Sequence, residues 1–216
     1  MSSENAQYWQ LAGIQHAIFM RIFPSLRHGL VGPISIARMR TSIVRKLLTK
    51  EGQPSIAEQV ARIDQQLQEA VLAIRALQSW EPAANELANP LVLIQQGLQI
   101  MTTPFAMSQI EVSLADDWAS SLPTTPVAQR AFLYAWLGVL CYCQDSIKGQ
   151  AVLSITASLP QANPGLVITL PEAVTTDAPA INSPGLRIDQ EALHILALHA
   201  GWTMQYGHRQ LSFTWA

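Results

Sequence analysis

The stretch "IAEQVARIDQQLQEAVLAIRAL" (Ile56–Leu77) carries apolar residues at spacings of three or four positions along its whole length. These residues are Ile56, Val60, Ile63, Leu67, Val71, Ile74 and Leu77. Such spacing places one apolar stripe along an α-helix, and a stripe this regular packs against another helix. The stretch therefore predicts one arm of a helical hairpin.

The other arm of the hairpin is predicted between Tyr8 and Leu48, where apolar residues again recur at helical spacing. The segment "TKEGQPS" (Thr49–Ser55) contains a glycine and a proline and predicts the turn between the arms. Pro24 and Pro33 interrupt the first arm, so we expect a bend or a helix start near each. One hairpin leaves half of its apolar surface exposed, whereas two hairpins form a four-helix bundle, and we therefore expect a homodimer.

The rest of the chain alternates helices with strands rich in β-branched residues. The predicted elements are a helix over 89–107, a strand over 108–116, a helix over 125–145, strands over 151–159 and 165–171 forming a hairpin, a helix over 189–200, and two closing strands, "WTMQYG" and "QLSFTW". This order predicts an α+β fold in which helices cover one sheet. We expect a helical hairpin domain over residues 1–84 and an α/β sandwich domain over residues 85–216.

The overall composition limits the partners and the location of the protein. Hydrophobic residues make up 49% of the 216 residues and charged residues only 13%, which indicates surface that a partner covers. A net charge of −2 gives no basic field, so we expect no nucleic-acid binding. No leader is recognised, and the longest apolar run (131–143) is too short for a bilayer. We therefore expect a cytoplasmic protein without a membrane segment, with Cys141 and Cys143 reduced and buried.

The stretch "SLRHGLVGPIS" (Ser25–Ser35) resembles the phosphoacceptor motif of the histidine kinases of two-component signalling. In that family a histidine is followed by an acidic residue, a leucine, a basic residue, a small residue and a proline. Here His28, Leu30 and Pro33 keep the register, whereas Gly29 takes the place of the acid and Val31 that of the base.

The second half of the chain resembles the ATPase domain of the same family. The segment "AQRAFLYAWLGVLCYCQDS" is similar to the helix that carries the magnesium-binding asparagine, with Val139 in its place, and "ALHILALHAGWTMQYGHRQLSFTWA" is similar to the closing helix and hairpin. After "GLVITL", Pro171-Glu172-Ala173 stands where the family has an Asp-x-Gly-x-Gly loop, and no glycine-rich lid lies between Glu172 and Gly185. A magnesium-nucleotide site needs oxygen ligands. We expect a degenerate domain that binds neither ATP nor any other cofactor.

The combination of a kinase-like hairpin with a degenerate ATPase domain resembles the two-domain histidine phosphotransferases of phosphorelays. This resemblance implies that His28 takes a phosphoryl group from one response-regulator receiver domain and passes it to another, with Mg²⁺ supplied by the receiver. Gly29 would expose the imidazole, and Pro33 completes the motif. The expected phosphoryl or docking contacts are Arg27, Leu30, Val31 and Arg38.

Two alternatives remain open on the sequence. The loss of the acidic and basic positions at Gly29 and Val31 suggests a non-enzymatic pseudokinase scaffold that binds receiver or kinase domains without carrying phosphate. A third hypothesis is that the resemblance is architectural only and that the dimer serves an unrelated assembly.

The remaining histidines and the tryptophans are interpreted as structural. The histidines are His16, His194, His199 and His208. His194 and His199 are five residues apart, which does not place them on one helix face for a metal. Trp80, Trp136 and Trp202 are expected in the core.

Overall fold

The protein consists of five α-helices and seven strands within the residues that the structure describes. The computed structural model describes residues 3–48, 56–80, 86–116, 118–158, 165–171 and 186–215. The helices are α1 (Ser3–Leu48), α2 (Ile56–Ala76), α3 (Pro90–Met107), α4 (Gln129–Ser146) and α5 (Gln190–Ala200), and a 3₁₀ turn (Leu77–Trp80) follows α2. The strands are β1 (Leu87–Ala88), β2 (Ile110–Leu114), β3 (Val127–Ala128), β4 (Ala151–Ser158), β5 (Gly165–Thr169), β6 (Trp202–Tyr206) and β7 (Gln210–Trp215). The predicted α+β fold is confirmed.

The main sheet has five strands in the order β2-β4-β5-β7-β6. β2 runs parallel to β4, and every other neighbouring pair is antiparallel, including the predicted β4–β5 hairpin. The turn predicted between β4 and β5 lies in 159–164, outside the described residues. Alternate residues of the strands are buried, which places one face of the sheet in the core. These buried residues are Leu153, Ile155, Leu166, Ile168, Leu211 and Phe213.

A second, two-stranded sheet joins β1 to β3 in antiparallel register, with Leu87 opposite Ala128. The sequence does not predict this sheet, because two residues are too few to show an alternating pattern. β3 also explains why α4 begins at Gln129 rather than near residue 125.

Helix α4 lies in the centre of the sandwich and is buried on all sides through most of its length. Trp136 is fully buried, its ring centroid lies 5.8 Å from that of Phe213, and its Nε1 donates to the Ile94 carbonyl over 3.0 Å. Gly97 of α3 allows this contact, since a Cβ there would lie 2.3 Å from Cδ1 of Trp136. The prediction that Trp136 belongs to the core agrees with this packing.

Helix α5 has the boundaries that its sequence predicts. The Asp189 side chain caps the N-terminus by accepting from the Ala192 amide over 2.9 Å. At the other end Gly201 adopts a left-handed conformation with φ 71°, which a residue without a Cβ reaches at little cost. The chain then enters β6, where Trp202 stacks on Phe213 with ring centroids 4.9 Å apart.

Helix α1 is a single helix of 46 residues that continues through Pro24 and Pro33. Neither proline therefore begins a new helix, and in this respect the expectation of a helix start is corrected. Each proline removes a backbone donor and costs about 3 kcal/mol in a helix interior, and each glycine costs about 1 kcal/mol relative to alanine. With Gly29 and Gly32 between them, the two prolines make residues 24–33 the intrinsically weakest part of the helix.

The chain divides into two compact units, and the division falls within α1. One unit is Phe23–Ala84, and the other combines Met1–Ile22 with Asn85–Ala216. In the first unit α1 and α2 are joined by a hydrogen bond of 3.2 Å from Arg40 Nη1 to Gln59 Oε1. In the second unit Ile18 and Ile22 of α1 are completely buried.

The apolar stripe of α2 is only partly covered within one chain. Val60, Leu67, Val71 and Ile74 keep 44–53% of their surface exposed. The turn predicted over 49–55 lies outside the described residues. Within the described ranges, no helix has the length and hydropathy needed to span a bilayer.

We predict that Gly97→Ala lowers the melting temperature, because the new methyl group must displace the buried ring of Trp136. Overpacking of this kind costs about 1–3 kcal/mol. The matched control is Gly13→Ala in α1, where nothing lies within 4 Å of the added Cβ and helix propensity improves. Equal melting temperatures for the two variants in thermal unfolding would contradict the packing described here.

The two cysteines of α4 are free and buried, as the sequence predicts. Burial raises the pKa of the Cys141 thiol to about 11, against a partial lowering by Arg21, and burial also raises the pKa of Cys143. In the unfolded chain the pKa of a thiol is about 8.5. The unfolded state therefore loses its thiol protons first as the pH rises.

We predict that the contribution of these thiols to stability is intact below pH ~8.5 and falls above it, the part from Cys141 being lost as the pH rises to about 11 and the part from Cys143 at still higher pH. Melting temperatures measured across this range should fall more for the wild type than for Cys141→Ala/Cys143→Ala, which controls for tyrosine titration. At pH 8 neither thiol should react with a disulfide reagent until guanidinium is added. Rapid labelling of the native protein would show that the thiols are accessible.

Candidate functional site

His28 lies near the middle of α1, and its side chain is exposed. Its neighbours Arg27 and Gly29 are also exposed, and no atom lies within 4 Å of a Cβ placed on Gly29. The imidazole therefore projects from an open helix surface rather than into a pocket. Direct transfer of a phosphoryl group between this protein and a second protein requires an exposed histidine. A buried His28 would instead favour the hypothesis that the resemblance is architectural only.

The helix places three of the predicted contact residues on one side of His28. At about 100° per residue, Arg27, Val31 and Arg38 fall within about 40° of one another and lie next to His28 around the helix axis. All three side chains are exposed, Val31 to 54%. We call these four residues the His28 face.

Leu30 and Pro33 point to the opposite side of α1 and are half-buried. They keep the register of the motif, but they do not share the His28 face. The predicted residues therefore form two groups. Arg27, Val31 and Arg38 are exposed near His28, whereas Leu30 and Pro33 are half-buried on the other side of the helix.

The charge of α1 is strongly one-sided. Glu4 is the only acidic residue of the helix, and its basic residues are Arg21, Arg27, Arg38, Arg40, Arg45 and Lys46. The sequence shows this excess of basic residues, since residues 5–48 contain no aspartate or glutamate. The near-neutral net charge of the whole chain does not reveal it. A basic helix surface favours an acidic partner.

Val139, which the sequence resemblance aligns with the magnesium-binding asparagine of the kinases, is enclosed in the core. Val139 is 1% exposed and lies in the centre of α4. A buried valine supplies no oxygen for a metal ion. Across the described residues, no group of three or more histidine, cysteine, aspartate or glutamate side chains could hold a metal ion. The predictions about the loop and lid over 172–185 lie outside the described residues.

A buried ion pair that the sequence analysis missed joins α1 to α4. Arg21 Nη1 lies 2.6 Å from Asp145 Oδ2, and Arg21 Nη2 lies 2.9 Å from Asp145 Oδ1. The two side chains are only 5% and 0% exposed. The Ile188 amide donates to the same carboxylate over 3.1 Å. The only sequence signal is the isolated charge of Arg21 within "AIFMRIF".

Among the described residues, the other histidines belong to no group of side chains that could hold a metal ion. His16, His194, His199 and His208 are all exposed. Partial burial and the nearby Arg130 charge lower the pKa of His199, so this side chain favours its neutral form. The sequence analysis interprets these four histidines as structural, but none of them lies in the core. Trp202 is buried and Trp80 is half-buried.

No protein-family model and no curated protein matches the chain. Among solved structures, the chain is similar to the histidine kinase AdeS of Acinetobacter baumannii, at 16% identity over 88% of this chain and 97% of that chain, with a TM-score of 0.43. It is similar to a bacterial phosphotransferase, at 12% identity over 91% of this chain and 94% of that chain, with a TM-score of 0.42. It is also similar to the cytoplasmic segment of the histidine kinase QseC, at 14% identity over 77% of this chain and 98% of that chain, with a TM-score of 0.42.

Proposed function

We propose that this protein is a histidine phosphotransferase of a two-component phosphorelay, which accepts and donates a phosphoryl group through His28. The observation that carries the proposal is the exposed imidazole of His28 on a basic helix face, with Arg27 beside it. The motif "RHGLVGP" supports it through its resemblance to a phosphoacceptor sequence.

The chemistry asked of His28 is an in-line displacement. A ring nitrogen of the neutral imidazole attacks the phosphorus of an aspartyl phosphate on a receiver domain. The N–P bond forms as the O–P bond breaks, and the aspartate leaves as a carboxylate. The same step in reverse, with a second receiver, regenerates the free histidine.

The transition state spreads negative charge over three equatorial oxygens, so positioning and electrostatics provide most of the catalysis. The receiver contributes Mg²⁺ and the aspartate, and this protein contributes the nucleophile. Arg27 is suited to neutralise part of the phosphoryl charge through a charge-assisted hydrogen bond. Arg38 lies about 15 Å further along the helix, at 1.5 Å per residue, and serves docking rather than the reacting group.

The His28 face has the character of a transient docking surface. Val31 provides an exposed apolar contact, and Arg27 and Arg38 provide a basic surround. Interfaces of transient complexes combine an apolar centre with a polar rim. The basic charge would steer the acidic pocket of a receiver towards His28.

The proposal includes the absence of ATP binding. Val139 is enclosed in apolar packing where a kinase would need an oxygen ligand. All phosphate would therefore enter and leave through partner proteins, in the cytoplasm.

The proposal also includes a homodimer. The partly exposed stripe of α2, with four apolar side chains at 44–53% exposure, is suited to pack in a four-helix bundle with a second hairpin.

The alternative function is a scaffold that binds receiver or kinase domains without carrying phosphate. Gly29 favours it, because a small residue replaces the acid that follows the histidine in the kinase motif. The two functions predict the same docking surface and differ only in whether His28 becomes labelled.

We predict that incubation with phosphorylated receiver domains transfers label to this protein, and that the label is acid-labile and base-stable. His28→Ala should abolish the labelling, whereas His16→Ala, at another exposed histidine of α1, should leave it unchanged. Receiver binding that persists in both variants without any label on the wild type would favour the scaffold. Equal labelling of the wild type and His28→Ala would contradict the assignment of His28.

We also predict that ATP with Mg²⁺ does not raise the melting temperature. A true nucleotide site at a hundredfold excess of ligand over Kd would add about 2.7 kcal/mol, which corresponds to a rise of several degrees in a chain of this size. A shift of that size in a thermal titration would show that a nucleotide site exists despite Val139. AMP with Mg²⁺ at the same concentrations serves as the control for non-specific effects.

A further inference from the structure

Arg21 fixes one turn of α1 on the sandwich. Its guanidinium makes two short bonds to Asp145, at 2.6 and 2.9 Å, and a third of 2.8 Å from Nη2 to Gln144 Oε1. Ile18 and Ile22, one turn before and one residue after Arg21, are completely buried. The helix is therefore held firmly as far as Ile22.

The segment that follows, residues 24–33, is poorly suited to hold its own helical conformation. Pro24 and Pro33 cannot donate the usual backbone hydrogen bond, and Gly29 and Gly32 lower the helix propensity further. Ten residues are also fewer than the ~12–15 that an isolated helix needs in water. His28 lies in the middle of this segment. The helical conformation of the backbone around it therefore depends on residues outside 24–33.

The turn fixed by Arg21 can impose that order directly. In an α-helix the Ser25 amide bonds to the Arg21 carbonyl, and the Leu26 amide bonds to the Ile22 carbonyl. Because helix formation propagates from a turn that is already fixed, these two carbonyls begin the ladder that reaches His28.

We propose that Arg21, through its buried ion pair with Asp145, is a positioning residue that keeps residues 24–33, the backbone segment that carries the His28 imidazole, in helical conformation. The role given to His28 rests on the proposed function, whereas the helix coupling does not. Arg21 contacts no reacting group, so its test must read the state of the helix.

Amide hydrogen exchange of the full chain, followed by mass spectrometry of peptides, measures this state. In Arg21→Met and in Asp145→Asn, exchange over residues 24–33 should be at least tenfold faster than in the wild type. Peptides from β4 and β7 should remain protected, which shows that the sandwich is still folded. The Asp145→Asn result is the more telling, because residue 145 is far from the segment in sequence.

A rescue separates positioning from general stabilisation. Pro24 is exposed, and nothing lies within 4 Å of a Cβ at Gly32, so Pro24→Ala/Gly32→Ala strengthens the helix without new contacts. Added to Arg21→Met, this pair should return exchange over 24–33 to within about threefold of the wild type. A role of Arg21 confined to sandwich stability would leave the fast exchange unchanged.

Unchanged exchange over 24–33 in both variants, with β4 and β7 protected, would overturn the proposal. If Arg21→Met also exposes β4 and β7, the deciding variant is Arg21→Lys, which keeps the charge with fewer donors. It should give intermediate exchange over 24–33, and wild-type exchange would overturn the inference.

Transfer from a phosphorylated receiver should slow in Arg21→Met and recover with the rescue. A wild type that never labels would refute the phosphotransferase alone, since exchange is measured without a receiver.

Discussion

The buried pair of Arg21 and Asp145 is the constraint that fixes the first part of α1 on α4. Removing two charges from water is costly, and the cost is offset only where every polar atom is well bonded. Here the carboxylate accepts from both terminal nitrogens of the guanidinium and from the Ile188 amide. Loss of one partner from such a pair costs about 3–5 kcal/mol, because the other charge stays buried.

The same pair extends into a polar network within a largely apolar unit. Gln144 accepts from Arg21 and donates from its Nε2 to the Pro104 carbonyl and to Ser108 Oγ, at 3.1 and 2.9 Å. The network therefore connects α1 and α4 with the end of α3. Around it the packing is tight, since a Cβ on Gly138 would lie 2.4 Å from Leu196 Cδ1. A helix enclosed in this way keeps Val139 buried in the apolar core.

The sequence predicts the elements of this protein well where the pattern is local. The alternating strands, the capping Asp189 and the terminating Gly201 each act within a few residues, so their boundaries follow from short stretches. The Arg21–Asp145 pair does not follow from a short stretch, because it joins residues 124 positions apart, and Asp145 lies closer in the sequence to Lys148 than to Arg21.

The two prolines of α1 show that a local sequence pattern can also predict an interruption that the structure does not contain. Taken locally, Pro24 and Pro33 predict interruptions of α1, yet the helix passes through both. Contacts of the flanking residues can override a weak local propensity, and the buried Ile22 and the Arg40–Gln59 bond supply such contacts on either side.

An exposed histidine poses a problem that an enclosed active site does not. In a pocket, neighbouring side chains fix the direction of a nucleophile, whereas His28 has open space around it. For the proposed transfer, its orientation comes from the backbone that carries it, because a small misplacement of a reacting group is costly in rate. A rigid helix can therefore replace the walls of a pocket, provided that it is held at a point close to the histidine. Arg21 lies seven residues, or two helical turns, before His28, and its charge is buried and neutralised, whereas Arg27 and Arg38 remain exposed. One helix thus carries a buried charge that is bonded within the fold and exposed charges that the proposed function assigns to recognition.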